Sequence, residues 1–240
     1  MNISVCMASY NGSFFIKTQI RSILKQLGHA DELIIVDDAS SDNTVTIIKS
    51  FNSPLIKLYL NKLNLGPACT FGRALHYAKN DVILLSDQDD LWFPNKIFYL
   101  RNIFLTSGLD LLVHDAFVLN HGKLMKKTLF QMNNSRKGIL KNIYRNTYTG
   151  CCMAMRRSIL KKILPISPNI GLFHDAWIGV LAEYYGFKVL FVNVPLINFM
   201  RHNANASSLK KRNLYLILKD RVFFLCEILR HILLKNMLKK

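Results

Sequence analysis

Three acidic residues lie close together in the segment SDQDDLW, namely Asp87, Asp89 and Asp90. The apolar run at 82–85 precedes them, which is typical of a short buried strand that would carry the acids to one edge of a sheet. Carboxylates this close repel one another, and hard divalent cations such as Mg²⁺ and Mn²⁺ prefer carboxylate oxygens. The segment therefore predicts a cation site, and a hydrated surface loop is the alternative interpretation.

A second acidic pair, Asp37 and Asp38, follows the apolar run at 33–36. Alone, this pair is more typical of a turn in which Asp and Ser side chains accept hydrogen bonds from the backbone. Paired acids after a strand also occur in the phospho-acceptor site of receiver domains. In those domains the pair follows the first strand and the chain is much shorter, so that interpretation is not favoured.

The segments around these acids alternate between strand and helix patterns. Short apolar runs are followed by segments with apolar residues at helical spacing, and Pro67 and Pro94 are placed to open helices. This alternation predicts an α/β fold with a mostly parallel sheet and helices on both faces. Ligands bind such sheets beyond the carboxyl ends of the strands, where Tyr10 and both acidic segments fall.

The net charge of +17 is unevenly distributed along the chain. Residues 116–174 contain 11 basic and no acidic side chains, whereas residues 1–115 contain 10 basic and 11 acidic ones. Such a basic surface suits phosphate groups, nucleic acid or anionic lipid. The aromatic residues of this stretch follow no recognised nucleic-acid motif, so we expect a lipid diphosphate or an anionic membrane as the partner and no nucleic acid. An ordinary hydrated face is the alternative.

The five cysteines are an odd number without metal-site spacing, which favours reduced thiols in a cytoplasm over a disulfide framework. The first residues, MNISVCMASYN, lack the basic region and the long apolar run of a signal peptide. No uninterrupted span of ~20 apolar residues is present, so a transmembrane helix is not expected. We therefore expect a cytoplasmic protein, either free or peripheral at the inner face of the cell membrane.

The end of the chain predicts a basic amphipathic helix. Residues 209–240 include 9 basic and 2 acidic side chains, and their apolar residues recur at near-helical spacing. Such a helix either packs on the protein's own surface or lies on anionic lipid. The pattern leaves both interpretations open.

Three segments in combination carry a resemblance to a known family, namely ISVCMASYNG, IIVDDASSDNT and LLSDQDDLWFPNK. Four more segments match that family in the same order: NKLNLGPACTFGRAL, TGCCMAMRRSIL, GLFHDAWIG and MRHNANAS. The sequence resembles the family 2 glycosyltransferases of the GT-A fold, and most closely their bacterial rhamnosyltransferase-like members. The resemblance covers roughly residues 1–207.

The resemblance implies a GT-A domain with a nucleotide-sugar-binding half at 1–118, an acceptor-binding half at 119–207 and a C-terminal helical tail at 208–240. It implies an inverting, metal-dependent transfer of a sugar, with rhamnose as one candidate. The donor would be a nucleoside diphosphate-sugar, and the acceptor a hydroxyl of a cell-surface glycan or a lipid-linked molecule. The alternative is a non-catalytic anion- or nucleic-acid-binding protein on the same scaffold.

The resemblance also implies roles for residues of the donor site. Tyr10 and Asp38 match the positions that hold the nucleotide base, and Ala8 is a small donor-site residue where some relatives carry Thr. His202 falls in a loop that, by analogy, closes over the diphosphate. Phe71 lies where many relatives carry Arg, so the base contacts differ in detail from theirs.

The same resemblance assigns the metal site and the catalytic base. Asp87 and Asp89 match the acidic motif that binds the donor and an Mg²⁺ or Mn²⁺ ion, with Asp89 as the direct metal ligand. Asp175 matches the catalytic base of the acceptor half. From spacing alone, Asp175 is a helix N-cap with His174 packed beside it, a role compatible with catalysis. We also expect the helix dipole to favour its ionised form.

Overall fold

A computed structural model describes residues 1–202 and 213–237 of the chain. The strands of these residues are β1 Ile3–Ser9, β2 Glu32–Asp37, β3 Ile56–Leu60, β4 Val82–Ser86, β5 Leu91–Trp92, β6 Leu111–Asn120, β7 Lys123–Leu124, β8 Met153–Arg156 and β9 Val189–Arg201. The helices are α1 Ile16–Leu24, α2 Thr44–Ser50, α3 Pro67–Tyr77, α4 Lys96–Thr106, α5 Leu129–Asn133, α6 Ile139–Tyr144, α7 Leu160–Ile163, α8 His174–Tyr184 and α9 Leu214–Met237.

The strands form one sheet in the order β3-β2-β1-β4-β8-β6-β9-β5, with β7 paired to β6. β1 pairs in parallel with β2 and β4, and β2 pairs in parallel with β3. β8 runs antiparallel to both of its neighbours, whereas β9 is parallel to β6 and antiparallel to β5. The predicted α/β class is confirmed. The parallel arrangement holds for β1 to β4, and the sheet as a whole is mixed.

The core lies around the parallel strands, which are nearly continuous runs of Val, Ile and Leu. Val5 on β1 and Leu84 on β4 have no exposed surface, as expected for strands that are covered on both faces. The apolar residues of α1 recur at helical spacing, and Ile16, Ile20 and Ile23 are fully buried. This packing holds the ends of the parallel strands in a fixed arrangement.

Two elements of the second half position the residues around Cys151. Helix α6 begins at Ile139, within the basic stretch. The 3-10 turn Gly150–Cys152 directly precedes β8. The absence of a side chain at Gly150 permits this turn to lie against α8, because an added Cβ would be 2.8 Å from His174 Nε2.

Helix α9 packs on the body with one face and leaves the other exposed. Phe224, Ile228 and Ile232 are buried, and His231 Nε2 lies 2.7 Å from the carbonyl oxygen of Lys162. The opposite side, called here the outer face of α9, is apolar and consists of Leu218, Val222, Leu225, Leu229, Leu233 and Met237. The interpretation that the helix packs on the protein is therefore confirmed for one face. Contact of the outer face with lipid stays a prediction.

The predicted boundaries at 118 and 207 also stay predictions, and a single sheet runs through both halves because β8 pairs with β4 and with β6. Residues 203–212 and 238–240, which include most of the MRHNANAS segment and both ends of the tail, lie outside the described residues. Among the helices that the structure describes, none combines the length and the apolar composition that a bilayer span needs.

Candidate active site

The carboxyl ends of β1, β2 and β4 meet at one edge of the sheet because the three strands are parallel. Ser9 at the end of β1 pairs with Asp37 on β2, and Ser86 at the end of β4 pairs with Met7. The backbone N–H of Asp38 donates to the carbonyl oxygen of Ser9 over 2.8 Å. The structure thus brings the polar segments that follow these strands to the same edge.

Gln88 joins the acidic segment to the loop that follows β1. Its Oε1 accepts from the Tyr10 backbone N–H and its Nε2 donates to the Tyr10 carbonyl oxygen, both over 3.0 Å. Gly12 lies against this side chain, where an added Cβ would collide with the Gln88 amide. Tyr10 is 46% exposed at this edge, and Ala8 is partly buried within β1, opposite Val36. Their contacts with a nucleotide base stay predictions.

The carboxylate of Asp38 is buried, and both of its oxygens accept hydrogen bonds from other residues of the chain. Oδ1 accepts from Asn61 Nδ2 at 2.7 Å and from the Leu65 backbone N–H at 2.9 Å. Oδ2 accepts from the backbone N–H of Gly66 at 2.8 Å, where the backbone has φ +81°. Asp38 therefore shapes the loop that contains Leu65 and Gly66, and its contact with a nucleotide base stays a prediction.

Asp87, Asp90 and Cys151 lie at the centre of the candidate site. One potential ligand atom from each residue lies within 4.8 Å of the others. Asp90 is 3% exposed, and its Oδ1 accepts from the Met200 backbone N–H over 3.2 Å. Its Oδ2 is buried and has no hydrogen-bond partner in the described part of the chain. Asp87 and Asp90 are called the acid pair below.

Burial and mutual repulsion oppose ionisation of the acid pair. Burial raises the pKa of Asp87 well above its usual range, and the charges of Asp90, Asp89 and Asp175 raise it further. Burial also raises the pKa of Asp90 to about 7, with a contribution from the charge of Asp89. The effect of Asp175 on Asp87 means that the predicted base lies close enough to interact electrostatically with Asp87.

This donor set fits a hard divalent cation. The cation would supply the positive charge that the acid pair needs, and the unpartnered Asp90 Oδ2 is a carboxylate oxygen of the kind that Mg²⁺ and Mn²⁺ prefer. A hydrogen bond with Cys152 and burial raise the pKa of Cys151, and its sulfur is a softer donor than the oxygens that these cations prefer. The acids that the structure brings together are Asp87 and Asp90, and Asp89 as direct ligand stays a prediction.

Asp89 contacts His202 at the rim of the site. His202 Nε2 lies 3.0 Å from Asp89 Oδ2, and the imidazole ring stacks on Phe15 with 4.2 Å between ring centroids. His202 directly follows β9, so the end of that strand is held against the acidic segment. The structure therefore brings His202 to the acidic segment, and closure over a diphosphate stays a prediction.

Asp175 is the second residue of α8, and the N-cap position belongs to Phe173, so the expected N-cap role is wrong. Its Oδ1 accepts from the backbone N–H of Ala176 at 2.7 Å and from Asn146 Nδ2 at 2.9 Å. Burial raises the pKa of Asp175 to about 7 in spite of these hydrogen bonds. The expected effect of the helix dipole is therefore outweighed by burial.

His174 has the packing role that the sequence predicts. Its ring is buried and stacks on Phe71 with 4.3 Å between ring centroids. Burial lowers the pKa of His174 to about 4, so the ring is neutral at physiological pH. Phe71, which lies where many relatives carry Arg, thus supports the residue that precedes the candidate base.

Lys96, the first residue of α4, has no exposed surface. Its Nζ donates to the carbonyl oxygen of Cys151 over 3.0 Å and lies 3.9 Å from the centroid of the Trp92 ring. Burial lowers the pKa of Lys96 to about 8, and the charges of nearby acids, Asp90 and Asp87 among them, oppose this shift. The site therefore contains a buried cation of its own.

Sequence analysis missed three residues that support this site. The burial of Lys96 could have been predicted, because it is four positions from the buried Leu100 on the same helix face. Gln88 lies inside the acidic segment but carries no charge to mark it. Asn146 had no signal, since Asp175 is 29 residues away in the sequence.

Comparison with curated proteins finds bacterial glycosyltransferases. The chain is 31% identical over 140 residues to the Escherichia coli protein named UDP-Glc:alpha-D-GlcNAc-diphosphoundecaprenol beta-1,3-glucosyltransferase WfgD, a match over 58% of this chain and 55% of that protein. It is 37% identical over 98 residues to the dTDP-rhamnosyl transferase RfbG of Shigella flexneri, over 38% of this chain and 34% of that protein. The chain thus spans little more than half the length of WfgD.

Comparison with solved structures finds the same architecture at low identity. S. aureus TarS 1-349 in complex with UDP-GlcNAc superposes with a TM-score of 0.72 and 18% identity, over 92% of this chain and 65% of that chain. Glucosyl-3-phosphoglycerate synthase from Mycobacterium tuberculosis, solved with Mn²⁺, UDP and glucosyl-3-phosphoglycerate, superposes with a TM-score of 0.60 and 17% identity, over 98% of this chain and 79% of that chain. These similarities establish the fold, which is the predicted GT-A fold.

A single family model accounts for most of the chain. The model described as glycosyl transferase family 2 matches residues 4–164, which is more than half of the 240 residues. The matched range includes nearly all of β1, the acidic segment and the turn that carries Cys151. The chain therefore belongs to glycosyl transferase family 2.

Proposed function

We propose that this chain is a metal-dependent, inverting glycosyltransferase that moves a sugar from a nucleoside diphosphate-sugar to a hydroxyl group. The observation that carries the proposal is the clustering of Asp87 and Asp90 at the edge where the parallel strands end, with Asp175 close enough to raise the pKa of Asp87. One group of carboxylates suits a metal-bound diphosphate, and the other suits a proton acceptor. Transfer of a sugar from a nucleoside diphosphate to a hydroxyl group requires both a metal-binding site and a proton acceptor.

The donor would lie at the edge formed by β1, β2 and β4. Asp87 with Asp90 would hold the Mg²⁺ or Mn²⁺ ion, with Asp89 as a further candidate ligand. When bound, such an ion neutralises the charge that develops on a departing diphosphate. The Tyr10 ring is exposed beside this segment and suits stacking on a nucleotide base. His202 is held at Asp89, where it would face the diphosphate.

Asp175 would act as the base. It would accept the proton of the acceptor hydroxyl as the hydroxyl oxygen attacks the anomeric carbon from the face opposite the departing nucleotide, so the anomeric configuration inverts. A pKa near 7 suits this task, because about half of such a base is ionised at neutral pH and the ionised form still binds a proton well. Asn146 would keep Oδ1 in place through its hydrogen bond.

The names of similar proteins suggest the class of donor and acceptor. WfgD, RfbG and TarS carry UDP-Glc, dTDP-rhamnosyl and UDP-GlcNAc in their names or titles. We propose a uridine or thymidine diphosphate-sugar for this chain, with rhamnose among the candidate sugars. The WfgD name contains a diphosphoundecaprenol acceptor, and the basic stretch at 116–174 supports a lipid-linked acceptor of a cell-surface polysaccharide.

A lipid-linked acceptor would place the protein at the inner face of the cell membrane. The outer face of α9 supports this location, since its apolar side chains are exposed along the length of the helix and basic residues such as Lys219, Arg230 and Lys235 accompany them. An interfacial helix combines an apolar face with basic residues in this way. The expected mode is peripheral binding.

The proposal is tested by a panel of nucleoside diphosphate-sugars, each with and without Mn²⁺. We expect one donor to raise the melting temperature of the chain only when Mn²⁺ is present, and to be slowly hydrolysed or transferred. If no sugar nucleotide stabilises the chain with any divalent cation, the protein is instead a non-catalytic member of its family. Stabilisation by an oligonucleotide in the same assay would favour the nucleic-acid-binding alternative.

A further inference from the structure

One face of α8 receives the segment of chain that precedes β8. Asp175, Gly179 and Glu183 are spaced four positions apart, so they lie one above the other on the same side of this helix. At one end of the face, Asn146 Nδ2 donates to Asp175 Oδ1 over 2.9 Å. At the other end, the Tyr148 hydroxyl donates to Glu183 Oε1 over 2.6 Å. Two residues of one short segment thus contact α8 on both sides of Gly179.

The Tyr148 side chain is held in place by its neighbours. It is 2% exposed, and Gly179 leaves room for it, because an added Cβ there would collide with the ring. The ring of Phe191 on β9 lies 5.2 Å from it, measured between centroids. Burial raises the pKa of Tyr148, and its hydrogen bond with Glu183 raises it further, so the hydroxyl keeps its proton and is the donor of that bond.

Glu183 fixes both ends of the segment 138–148 to the same side chain. Each of its carboxylate oxygens accepts from the Gly138 backbone N–H over 2.9 Å, and Oε1 also accepts from Tyr148. Glu183 is only partly buried, but these three contacts all come from one stretch of chain. The segment is therefore attached to α8 at its beginning and at its end.

Asn146 is joined directly to Tyr148. Its Oδ1 accepts from the Tyr148 backbone N–H at 3.0 Å, and its Nδ2 donates to the Tyr148 carbonyl oxygen at 3.2 Å. The same Nδ2 donates to Asp175, as described above. A shift of Tyr148 along α8 would therefore move the amide that contacts Asp175.

We propose that Tyr148 and Glu183 are positioning residues of the reaction, which fix the Asn146 amide against Asp175 and so set the orientation of the candidate base. They act on the reaction through Asn146. The inference rests on the proposed function only in the base role that it gives to Asp175. Loss of the hydrogen bond between Tyr148 and Glu183 would let the amide move, and a misplaced catalytic group slows the chemical step.

The test is the rate of Mn²⁺-dependent turnover of UDP-Glc, UDP-GlcNAc and dTDP-rhamnose, by transfer or hydrolysis, in Tyr148→Phe. This change keeps the buried ring and removes only the hydroxyl. We expect kcat to fall about 10-fold, as for a modest misplacement of a catalytic group, while the KM of the sugar nucleotide stays unchanged. Glu183→Gln keeps an oxygen acceptor for Tyr148 and should lose less activity than Glu183→Ala. The matched control is Ser4→Ala, which removes a hydroxyl that donates to Glu32 Oε1 over 2.6 Å near the start of β1 and should leave kcat unchanged.

A double variant separates positioning from packing. If Tyr148 acts through Asn146, then Tyr148→Phe should cost nothing further in kcat when it is added to Asn146→Ala. If Tyr148→Phe lowers kcat equally in both backgrounds, or leaves kcat unchanged in the wild-type background, the proposal is overturned.

Thermal unfolding of the same proteins tests the inference even if the wild type turns over none of the sugar nucleotides, an outcome that would contradict the proposed function instead. The losses of melting temperature in Tyr148→Phe and Asn146→Ala should be less than additive, because both changes break one network. Additive losses would show that the two side chains are independent and would overturn the positioning role.

Discussion

At the scale of single residues, Asp175 shows how burial and hydrogen bonding oppose each other. Burial removes the carboxylate from water and raises its pKa, whereas the Ala176 N–H and the Asn146 amide stabilise the ionised form. The balance leaves the pKa of Asp175 at about 7, in the range where a general base is most useful.

Asp175→Asn should abolish transfer while donor and metal binding persist. The amide keeps the shape of the side chain but cannot take a proton, and loss of a general base costs about 10²–10⁴-fold in rate. The rate of sugar transfer and the Mn²⁺-dependent stabilisation by the donor would be measured on the same protein. Asp81→Asn, at an exposed acid before β4, is the control that should keep full activity. Near-normal transfer by Asp175→Asn would remove this residue from the base role.

The pH dependence of stability provides a second measurement on Asp175. Its pKa of about 7 in the folded protein lies above the ~3.9 of an unfolded Asp, so the folded state binds more protons between these values. Its contribution to stability is therefore lost as the pH rises from about 4 to about 7. The Asp175→Asn variant should gain melting temperature relative to the wild type between about pH 5 and about pH 8. If the difference in melting temperature between the variant and the wild type is constant across this range, the raised pKa of Asp175 is contradicted.

Asn146→Ala should shift the acid limb of the rate profile to higher pH. The Asn146 amide stabilises the ionised form of Asp175, so its loss raises the pKa of the base. Transfer at neutral pH should fall and should recover partly at higher pH. If the acid limb of the pH–rate profile is unchanged and the rate is lower at every pH, Asn146 has a structural role alone.

At the scale of elements, the loop after β1 and the segment after β4 are fastened to each other by one side chain. Gln88 makes two hydrogen bonds to the Tyr10 backbone, and Gly12 leaves room for its amide. The two loops belong to parallel neighbours, so this contact fixes the Tyr10 backbone relative to the acidic segment.

Gly12→Ala should weaken donor binding by displacing Gln88. The Gln88 side chain is flexible and can move, so the stability cost is the loss of its hydrogen bonds, about 1 kcal/mol for such exposed groups. The donor KM should rise, whereas the double variant Gly12→Ala/Gln88→Ala should be little worse than Gln88→Ala alone, because the clash is gone. If the effects of Gly12→Ala and Gln88→Ala on the donor KM simply add, the contact between these two residues is contradicted.

At the scale of the whole molecule, α9 is apolar on both of its long sides. Phe224, Ile228 and Ile232 cover the body of the protein, so removal of the helix would expose the core around Trp177. A test of membrane binding must therefore keep the helix and change only its outer face.

Val222→Glu/Leu229→Glu should lower binding to vesicles that contain anionic lipid and leave the melting temperature nearly unchanged. Both side chains are exposed, so the changes remove apolar contacts with lipid and add charge that an anionic surface repels. Leu105→Glu, at a 58% exposed residue of α4, is the matched control. Equal, salt-insensitive vesicle binding by all of these proteins would mean that the outer face does not contact lipid.

Much of the fold and the general position of the site follow from local patterns in the sequence. Apolar runs and helical spacing predict the alternation of strands and helices, because these patterns depend on a few neighbouring residues. The strands' parallel pairing then places Tyr10, Asp38 and Asp87 at one edge, since the carboxyl ends of such strands meet there. The family resemblance adds Asp175 and His202 by their matching segments.

The contacts within the candidate site depend on packing between residues that are far apart in the sequence. The antiparallel β8 brings Cys151 to the acid pair from the second half of the chain, and the turn after β4 directs Asp90 towards Asp87 while Asp89 contacts His202. Burial is likewise a property of the assembled molecule, so no local pattern could show that it outweighs the helix dipole at Asp175. The sequence by itself determined which residues could do chemistry and at which edge they lie. Only the tertiary structure decided which of them meet and how they ionise, because contacts and solvation depend on residues far apart in the chain.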